Sequence, residues 1–144
     1  MAKIWVTTKR KFHYDEFFVS KQYPKLAKLS DGHFVQIYRH ERIRLGVESI
    51  LDPLREKVKK PVAITSGHRS PELNLKVGGS DTSDHLVTCA VDITVEGLTS
   101  YQLAIFILTL GVPYRQIVAY KRKPHVHVSW NIPGRPYKKE VVFK

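Results

Sequence analysis

Three short segments of the sequence carry side chains that could act together on a substrate: residues 66–70, residues 83–92 and residues 125–127. His85 lies seven residues before Asp92, so the chain can leave as a loop and return to the same point on a strand. Imidazole nitrogen and carboxylate oxygen both suit zinc, and a catalytic zinc takes three protein ligands and leaves a fourth position for water. The segments therefore predict a catalytic metal site.

Asp92 and the pair His125 and His127 could also have structural roles that involve no metal. Asp92 stands in the apolar run Ala90–Ile93, where an unpaired carboxylate would be costly to bury unless a metal or a basic group accompanies it. His125 and His127 alternate with valines, which places both imidazoles on one face of a strand. A capping aspartate and a surface histidine pair would give the same pattern. Chance clustering is a competitor, because the chain has further histidines at His13, His33, His40 and His68.

Helices and strands in mixed order must position these segments. Apolar residues recur at helical spacing over about residues 36–57, and Pro53 should bend or interrupt that helix late. Ser70, followed by proline and glutamate, is typical of a helix start, and Thr99 or Ser100 should cap a second apolar helix. The absence of regular β–α–β alternation favours an α+β fold. The expected strands cover residues 61–65, 90–93, 116–120, 126–130 and 141–143.

Length and charge bound the class of protein. The 144 residues fit a single domain, residues 1–144. The formal net charge of +11 favours an anionic partner, although solvated surface patches explain it equally well. Cys89 is the single cysteine, so no intrachain disulfide can form, and we expect it to be a small buried filler. Residues 1–10 contain no signal-like apolar run and no segment is apolar over a membrane span, so we expect synthesis in the cytoplasm.

The spacing of the motifs is more specific than any one of them. Together they resemble the zinc D-Ala-D-Ala carboxypeptidase family, which includes bacterial wall-trimming enzymes, peptidoglycan endopeptidases and phage endolysins. The family pattern is Ser-Gly-Tyr-Arg-Ser, then Ser-x-His-x-x-Gly-x-Ala-x-Asp, then a strand with a last histidine. The resemblance spans about residues 12–130. It rests on Ser66–Asn74, Val77–Ser80 and Ser83–Leu86, on Ala90 and Asp92 in register with the middle motif, on His127–Ser129, and on Leu51–Arg55 in the preceding helix.

The resemblance implies a fold and a metal centre. The fold would be a small single-domain antiparallel sheet flanked by helices, of the hedgehog and D-Ala-D-Ala carboxypeptidase type. His85, Asp92 and His127 would hold Zn²⁺, and the metal-activated water would attack a peptide carbonyl. Arg69 would act in catalysis by binding a carboxylate or carbonyl of the substrate near the metal.

Residues around the predicted ligands depart from the family pattern at two positions. His68 replaces the usual tyrosine, and Thr88 replaces the usual glycine, which should change the path of the loop. The resemblance implies that His68 and Ser83 contact the substrate. It also implies that Asp84, beside a metal ligand, orients the ring of His85.

The general base is the third departure. Several members of the family place a glutamate three residues before the last metal ligand, and Pro124 occupies that position here. Other members carry a histidine two residues before that ligand, and His125 matches this version. We therefore expect His125 to be the base that takes the proton of the attacking water.

These observations predict a zinc-dependent peptidase acting on peptidoglycan stem peptides, as a carboxypeptidase or an endopeptidase. Two alternatives stay open. The first is a catalytically silent module on the same fold that binds wall fragments or a protein. The second is a basic nucleic-acid-binding protein, although the sequence has no familiar recognition motif. We expect a monomer that acts on the cell wall. Anionic wall polymers are further candidate partners. The resemblance to a family that includes phage endolysins suggests a phage or prophage product.

Overall fold

A five-stranded sheet lies at the centre of this computed structural model, which describes residues 4–28 and 33–144 apart from the side chains of residues 33–36. Its strands are β1 (Val62–Ser66), β2 (Ala90–Val95), β3 (Gln116–Ala119), β4 (Val126–Ser129) and β5 (Glu140–Phe143). They are arranged in the order β1–β2–β4–β3–β5. All neighbours are antiparallel except β3 and β5, which are parallel. The α+β fold with a mostly antiparallel sheet is confirmed, and its outer strand β5 is a parallel addition.

The register of the sheet places polar residues of distant segments side by side. Asp92 of β2 pairs with His127 of β4 on one side and with Ser66 of β1 on the other. Directly opposite residues of paired strands lie on the same face, with their Cβ atoms about 4.5–5.5 Å apart. The residues on either side of Asp92 face the other way, and Val91 and Ile93 are fully buried in the core. One face of the sheet is therefore core, and the other carries the polar residues.

The long helix expected around Pro53 is continuous but changes its winding. Asp52 donates its backbone N–H to the carbonyl of Val47, five residues earlier, so that Val47–Leu51 form one wider turn. Proline has no backbone N–H, so Pro53 cannot make the usual hydrogen bond to the carbonyl four residues earlier. The extra residue in the wider turn lets the helix continue through Pro53. The prediction of an irregularity there is confirmed. The helices are α1 (Pro24–Ala27), α2 (His33–Gly46), α3 (Asp52–Val58), α4 (Pro71–Lys76) and α5 (Ser100–Thr109).

The predicted caps of α4 and α5 are confirmed. The hydroxyl of Ser70 accepts a hydrogen bond from the Leu73 N–H at 3.1 Å. Thr99 and Gln102 form a reciprocal capping box, so Thr99 rather than Ser100 caps α5. These bonds satisfy N–H groups that a helix start leaves free. Among the described residues, no helix is both long enough and apolar enough to cross a membrane.

The amino-terminal segment packs onto the core through aromatic side chains. Phe12 and Phe17 are buried, and Phe18 is partly buried against the same core. The carbonyl of Phe17 accepts a hydrogen bond from the backbone N–H of His68 at 2.7 Å. This contact fixes the start of the loop that leads from β1 to α4.

Candidate metal centre and active-site cleft

Three residues singled out from the sequence converge at the polar face of the sheet. His85 comes from a short helical turn before β2, Asp92 from β2 and His127 from β4. The Oδ1 atom of Asp92 lies 3.3 Å from Nε2 of His85 and 3.2 Å from Nδ1 of His127. The two ring nitrogens are 3.2 Å apart, although 42 residues separate them in the chain. The fold thus brings the three candidate ligands together.

The spacing of these donor atoms fits a tetrahedral metal. Bonds of about 2.0–2.1 Å from zinc to tetrahedrally arranged ligands place the ligand atoms about 3.3 Å from one another. His85, Asp92 and His127 form the group that could hold a metal ion among the residues the structure describes. Two imidazole nitrogens and one carboxylate oxygen also match the ligand chemistry of a catalytic zinc, which keeps a fourth position open. The residues present therefore fit zinc.

The protonation states of the group also suit metal binding. Burial by itself would raise the pKa of Asp92, but hydrogen bonds and charge from His127 and His85 hold that pKa well below its ordinary value. Burial lowers the pKa of His85, which favours the neutral ring. Nδ1 of His85 lies 2.7 Å from the carbonyl oxygen of Gly67. When Nδ1–H donates to that carbonyl, Nε2 keeps its lone pair for a ligand.

Asp84 makes different contacts from those expected. Its carboxylate accepts hydrogen bonds from Nε of Arg115 at 3.0 and 3.1 Å and from Nε of Arg135 at 2.7 Å. The ring of His85 is held by the carbonyl of Gly67, and the carboxylate of Asp84 contacts the two arginines. Asp84 fastens the turn that carries His85 to the segments that precede β3 and follow β4.

Arg69 lies beside the candidate metal centre, as expected from the sequence. Its Nη2 is 3.5 Å from Oδ2 of Asp92. Its Nε donates to the hydroxyl of Ser66 at 3.3 Å, and Nη1 donates to Oδ1 of Asn74 at 3.4 Å. The backbone N–H of Arg69 donates to the carbonyl of His85 at 3.0 Å. These contacts hold a planar, permanently charged donor group at the edge of the site.

His125 lies on the same side of the sheet as the candidate ligands. Its Nε2 is 3.9 Å from Oδ2 of Asp92, and 22% of its side chain is exposed. Burial lowers the pKa of His125, which favours the neutral imidazole that can accept a proton. Its position beside the metal centre, within reach of solvent, is that of a candidate general base.

A cleft of about 660 Å³ opens onto the candidate metal centre. Ser83 lines this cleft, as a substrate-contacting residue must, and its hydroxyl accepts a hydrogen bond from the backbone N–H of His85 at 3.2 Å. Six cationic side chains line it against the two carboxylates of Asp84 and Asp92, so the cleft carries excess positive charge. The cations are Arg69, Arg115, Lys123, Arg135, Lys138 and Lys144.

His68 does not line the cleft, contrary to the expectation of a substrate contact. It is buried, with Nδ1 at 2.8 Å from the hydroxyl of Thr88 and its ring 5.9 Å from that of Phe18. Thr88 adopts φ 58° and ψ 39°, the left-handed conformation that a glycine takes without strain. The loop therefore keeps a glycine-like conformation despite the substitution. The two departures from the family pattern contact each other.

Cys89 lies in the core and outside the metal-binding group. Its thiol contacts the carbonyl oxygen of Asp84 at 3.6 Å. Burial raises its pKa to about 12, so the thiol stays protonated and is a poor metal ligand. The structure agrees with a small buried filler.

Sequence reasoning missed several residues of the site, namely the Gly67 carbonyl, Arg115, Arg135 and Tyr120. Arg115 and Arg135 lie 31 and 51 residues from the Asp84 that they contact, and no local pattern connects them. One signal was available in the sequence. A carboxylate beside a predicted metal ligand requires a cationic partner once it is buried.

The family model for peptidase M15 matches residues 11–129, which include all three candidate ligands. The chain belongs to the peptidase M15 family. The match agrees with the resemblance expected over residues 12–130. Membership makes this M15 chain a metallopeptidase with the fold of the zinc D-Ala-D-Ala carboxypeptidase-like enzymes, a family that is zinc-dependent in general. No curated protein matches the chain.

Proposed function

We propose that this M15 peptidase hydrolyses peptide bonds in peptidoglycan stem peptides and that His85, Asp92 and His127 hold its zinc. The observation that carries the proposal is the triangle of donor atoms, with sides of 3.2–3.3 Å, in a basic cleft. Family membership supports the peptidase activity independently of this geometry.

The residues of the chain divide the work of hydrolysis. A bound zinc supplies an activated water at neutral pH and polarises the scissile carbonyl. Arg69 binds a carboxylate or carbonyl oxygen of the substrate through its guanidinium and so fixes the peptide in the cleft. His125 accepts a proton from the attacking water at Nε2 and then donates it to the leaving amine nitrogen. An imidazole that starts neutral can first accept this proton and then donate it. His125 can therefore replace the usual glutamate, whose position is occupied by Pro124.

The charge of the cleft supports an anionic peptide as substrate. Six cations against two carboxylates attract a chain that carries free carboxyl groups, as stem peptides do. A carboxypeptidase would place the terminal carboxylate of its substrate against Arg69. An endopeptidase would run the substrate further along the cleft, past Lys123 and Lys138. The same positive charge supports contact with anionic wall polymers.

The test combines metal analysis with digestion of isolated muropeptides. The purified protein is incubated with muropeptides, with and without a chelator, and mass spectrometry identifies the bond that is cut. We expect one zinc per chain, chelator-sensitive cleavage, and loss of zinc in His85→Ala, Asp92→Ala and His127→Ala. His13→Ala is the matched control, because His13 lies outside the metal-binding group and should leave the zinc content unchanged.

Each part of the proposal has its own contrary result. Full zinc occupancy in all three ligand variants would contradict the assignment of the metal site. A zinc-loaded protein that cleaves no muropeptide, but binds wall fragments, would favour the silent binding module. Salt-sensitive binding of DNA that needs no zinc would favour the nucleic-acid-binding alternative.

A further inference from the structure

Tyr120 occupies a fixed position at the edge of the active-site cleft. It follows β3 directly, and its backbone N–H donates to the hydroxyl of Ser100 at 2.9 Å. The same hydroxyl donates to the carbonyl of His125 at 2.6 Å. Ser100 is buried, so this bridge holds the backbones of Tyr120 and His125 at a set distance. Their rings lie 5.0 Å apart between centroids.

The hydroxyl of Tyr120 has no assigned role so far. Tyr120 lines the cleft together with the metal centre and Arg69. Within the described part of the chain, no group forms a hydrogen bond with this hydroxyl. It is close enough to Asp92 and Arg69 for both charges to act on it. Tyr120 is therefore a half-buried residue of the cleft whose hydroxyl is available to a substrate.

The hydroxyl remains a donor over the neutral pH range. Burial raises the pKa of Tyr120, the carboxylate of Asp92 raises it further, and Arg69 opposes the change only in part. The ring is also held by Lys123, whose ammonium lies 4.9 Å from the ring centroid. A rigid neutral O–H group in a partly desolvated cleft is suited to stabilising negative charge that develops during a reaction.

We propose that Tyr120 is a further catalytic residue, whose hydroxyl donates a hydrogen bond to the oxyanion that forms when water attacks the scissile carbonyl. This inference rests on the proposed peptidase function and adds a residue that the motifs did not identify. The new bond joins the water oxygen to the carbonyl carbon, and the π electron pair of the carbonyl moves onto its oxygen. The water proton goes to His125, and Tyr120 keeps its own proton throughout. The oxyanion's electron pair then re-forms the C=O bond while the C–N bond breaks and its electron pair leaves with nitrogen, and His125 gives its proton to this leaving amine.

Two other roles of Tyr120 make different predictions. As a packing residue it would support the ring of His125, and as a substrate-binding residue it would act equally on the ground state and the transition state. Tyr120→Phe separates these roles, because it keeps the aromatic ring and removes only the hydroxyl. Tyr137→Phe is the matched control, since the side chain of Tyr137 is 76% exposed and does not line the cleft.

The experiment measures turnover and inhibitor binding on zinc-loaded protein. The probes are a muropeptide substrate and a phosphinic peptide, whose tetrahedral anionic group mimics the oxyanion. We expect Tyr120→Phe to lower kcat on the order of 10²-fold with little change in KM, as for loss of one oxyanion donor. Its affinity for the phosphinic peptide should fall by a similar factor, whereas its affinity for the product peptide, zinc content and melting temperature should match those of the unaltered protein.

The outcomes of this experiment are distinct. Unchanged affinity of Tyr120→Phe for the phosphinic peptide overturns the inference, and so does a KM increase at constant kcat. Equal losses in Tyr120→Phe and Tyr137→Phe overturn it as well. If the unaltered protein cleaves no peptide, the proposed function fails, but phosphinate binding still decides whether the Tyr120 hydroxyl contacts a tetrahedral anion. An unaltered protein that does not bind the phosphinic peptide also overturns the inference.

Discussion

Replacing Asp84 with asparagine should destabilise this domain strongly, because two arginines share its carboxylate. The side chains of Asp84 and Arg115 are 7% and 8% exposed, so their ion pair is almost fully removed from water. The Arg135 side chain is 23% exposed and lies at the edge of the pair. Asparagine keeps the size of the side chain and removes its charge, which leaves the guanidinium of Arg115 without a buried counter-ion.

The size of the effect follows from this burial. Removing one partner of a buried ion pair costs about 3–5 kcal/mol, because the remaining charge stays desolvated. The carbonyl of Pro136 still accepts a hydrogen bond from Nη1 of Arg115, so we expect about 3 kcal/mol. The entropy of unfolding of a chain of this length is about 0.3 kcal/mol per kelvin, so the melting temperature should fall by about 10 °C.

The assay is thermal and denaturant unfolding of both proteins at a fixed zinc concentration, since zinc binding stabilises the folded state. Lys9→Gln is the matched control, because the side chains of the Lys9–Glu56 pair are 57% and 72% exposed and such a surface pair is worth only about 0–1 kcal/mol. The salt dependence gives a second measurement. A buried pair is screened much less than a surface pair, so the Asp84→Asn effect should change little on adding salt.

The pH dependence of the effect has a defined sign. Burial raises the pKa of Asp84, but the Ser129 hydroxyl and Arg115 lower it more, so the folded-state pKa lies below the ordinary value. The stabilisation is then fully present above the unfolded-state pKa of about 4 and is lost as the pH falls through the folded-state pKa. The two proteins should differ most near pH 7 and converge in strong acid. A difference below about 1 kcal/mol at pH 7 would refute the argument, as would a difference that grows in acid.

Three further predictions concern single residues. His125→Ala should retain zinc and lose turnover by about 10²–10⁴-fold if His125 is the general base, and loss of zinc would instead make it a ligand. Arg69→Lys should keep the fold and the zinc but lose about 10- to 150-fold in turnover, because lysine lacks the planar two-pronged donor. A lower melting temperature with normal turnover per folded molecule would instead show that Arg69 only stabilises the loop. Thr88→Val should lower the unfolding free energy by about 1–3 kcal/mol, since it keeps the left-handed backbone and removes the hydroxyl beside His68, whereas Thr88→Ser should cost much less in the same denaturation assay.

Features that depend on neighbouring residues could be predicted from the sequence. The cap at Ser70 needs only a serine followed by a helix-forming segment, and the capping box at Thr99 needs only Gln102 three residues later. The irregular turn before Pro53 follows from the missing N–H of proline. The alternation of His127 with valines predicts which face of the strand its side chain occupies, without knowledge of the strand register. The spacing of the motifs around His85 and Asp92 was specific enough to indicate the family.

Contacts between distant segments could not be predicted in this way. Asp84 was expected to orient His85 because the two are adjacent, yet Arg115 and Arg135 reach Asp84 from 31 and 51 residues away. His68 was expected to face the substrate because the corresponding family residue belongs to a site motif. Its ring instead turns inward to Thr88.

The sequence by itself determined the residue types of the candidate metal centre, the helix caps and the fold class, because each depends on local chemistry or on short spacing. Only the tertiary structure decided that three donor atoms lie 3.2–3.3 Å apart and that Gly67 orients His85. It alone placed Tyr120 in the same cleft. The physical reason is that strand register and loop packing set distances between residues far apart in the chain, and a shift of one residue in register would turn a side chain to the opposite face of the sheet.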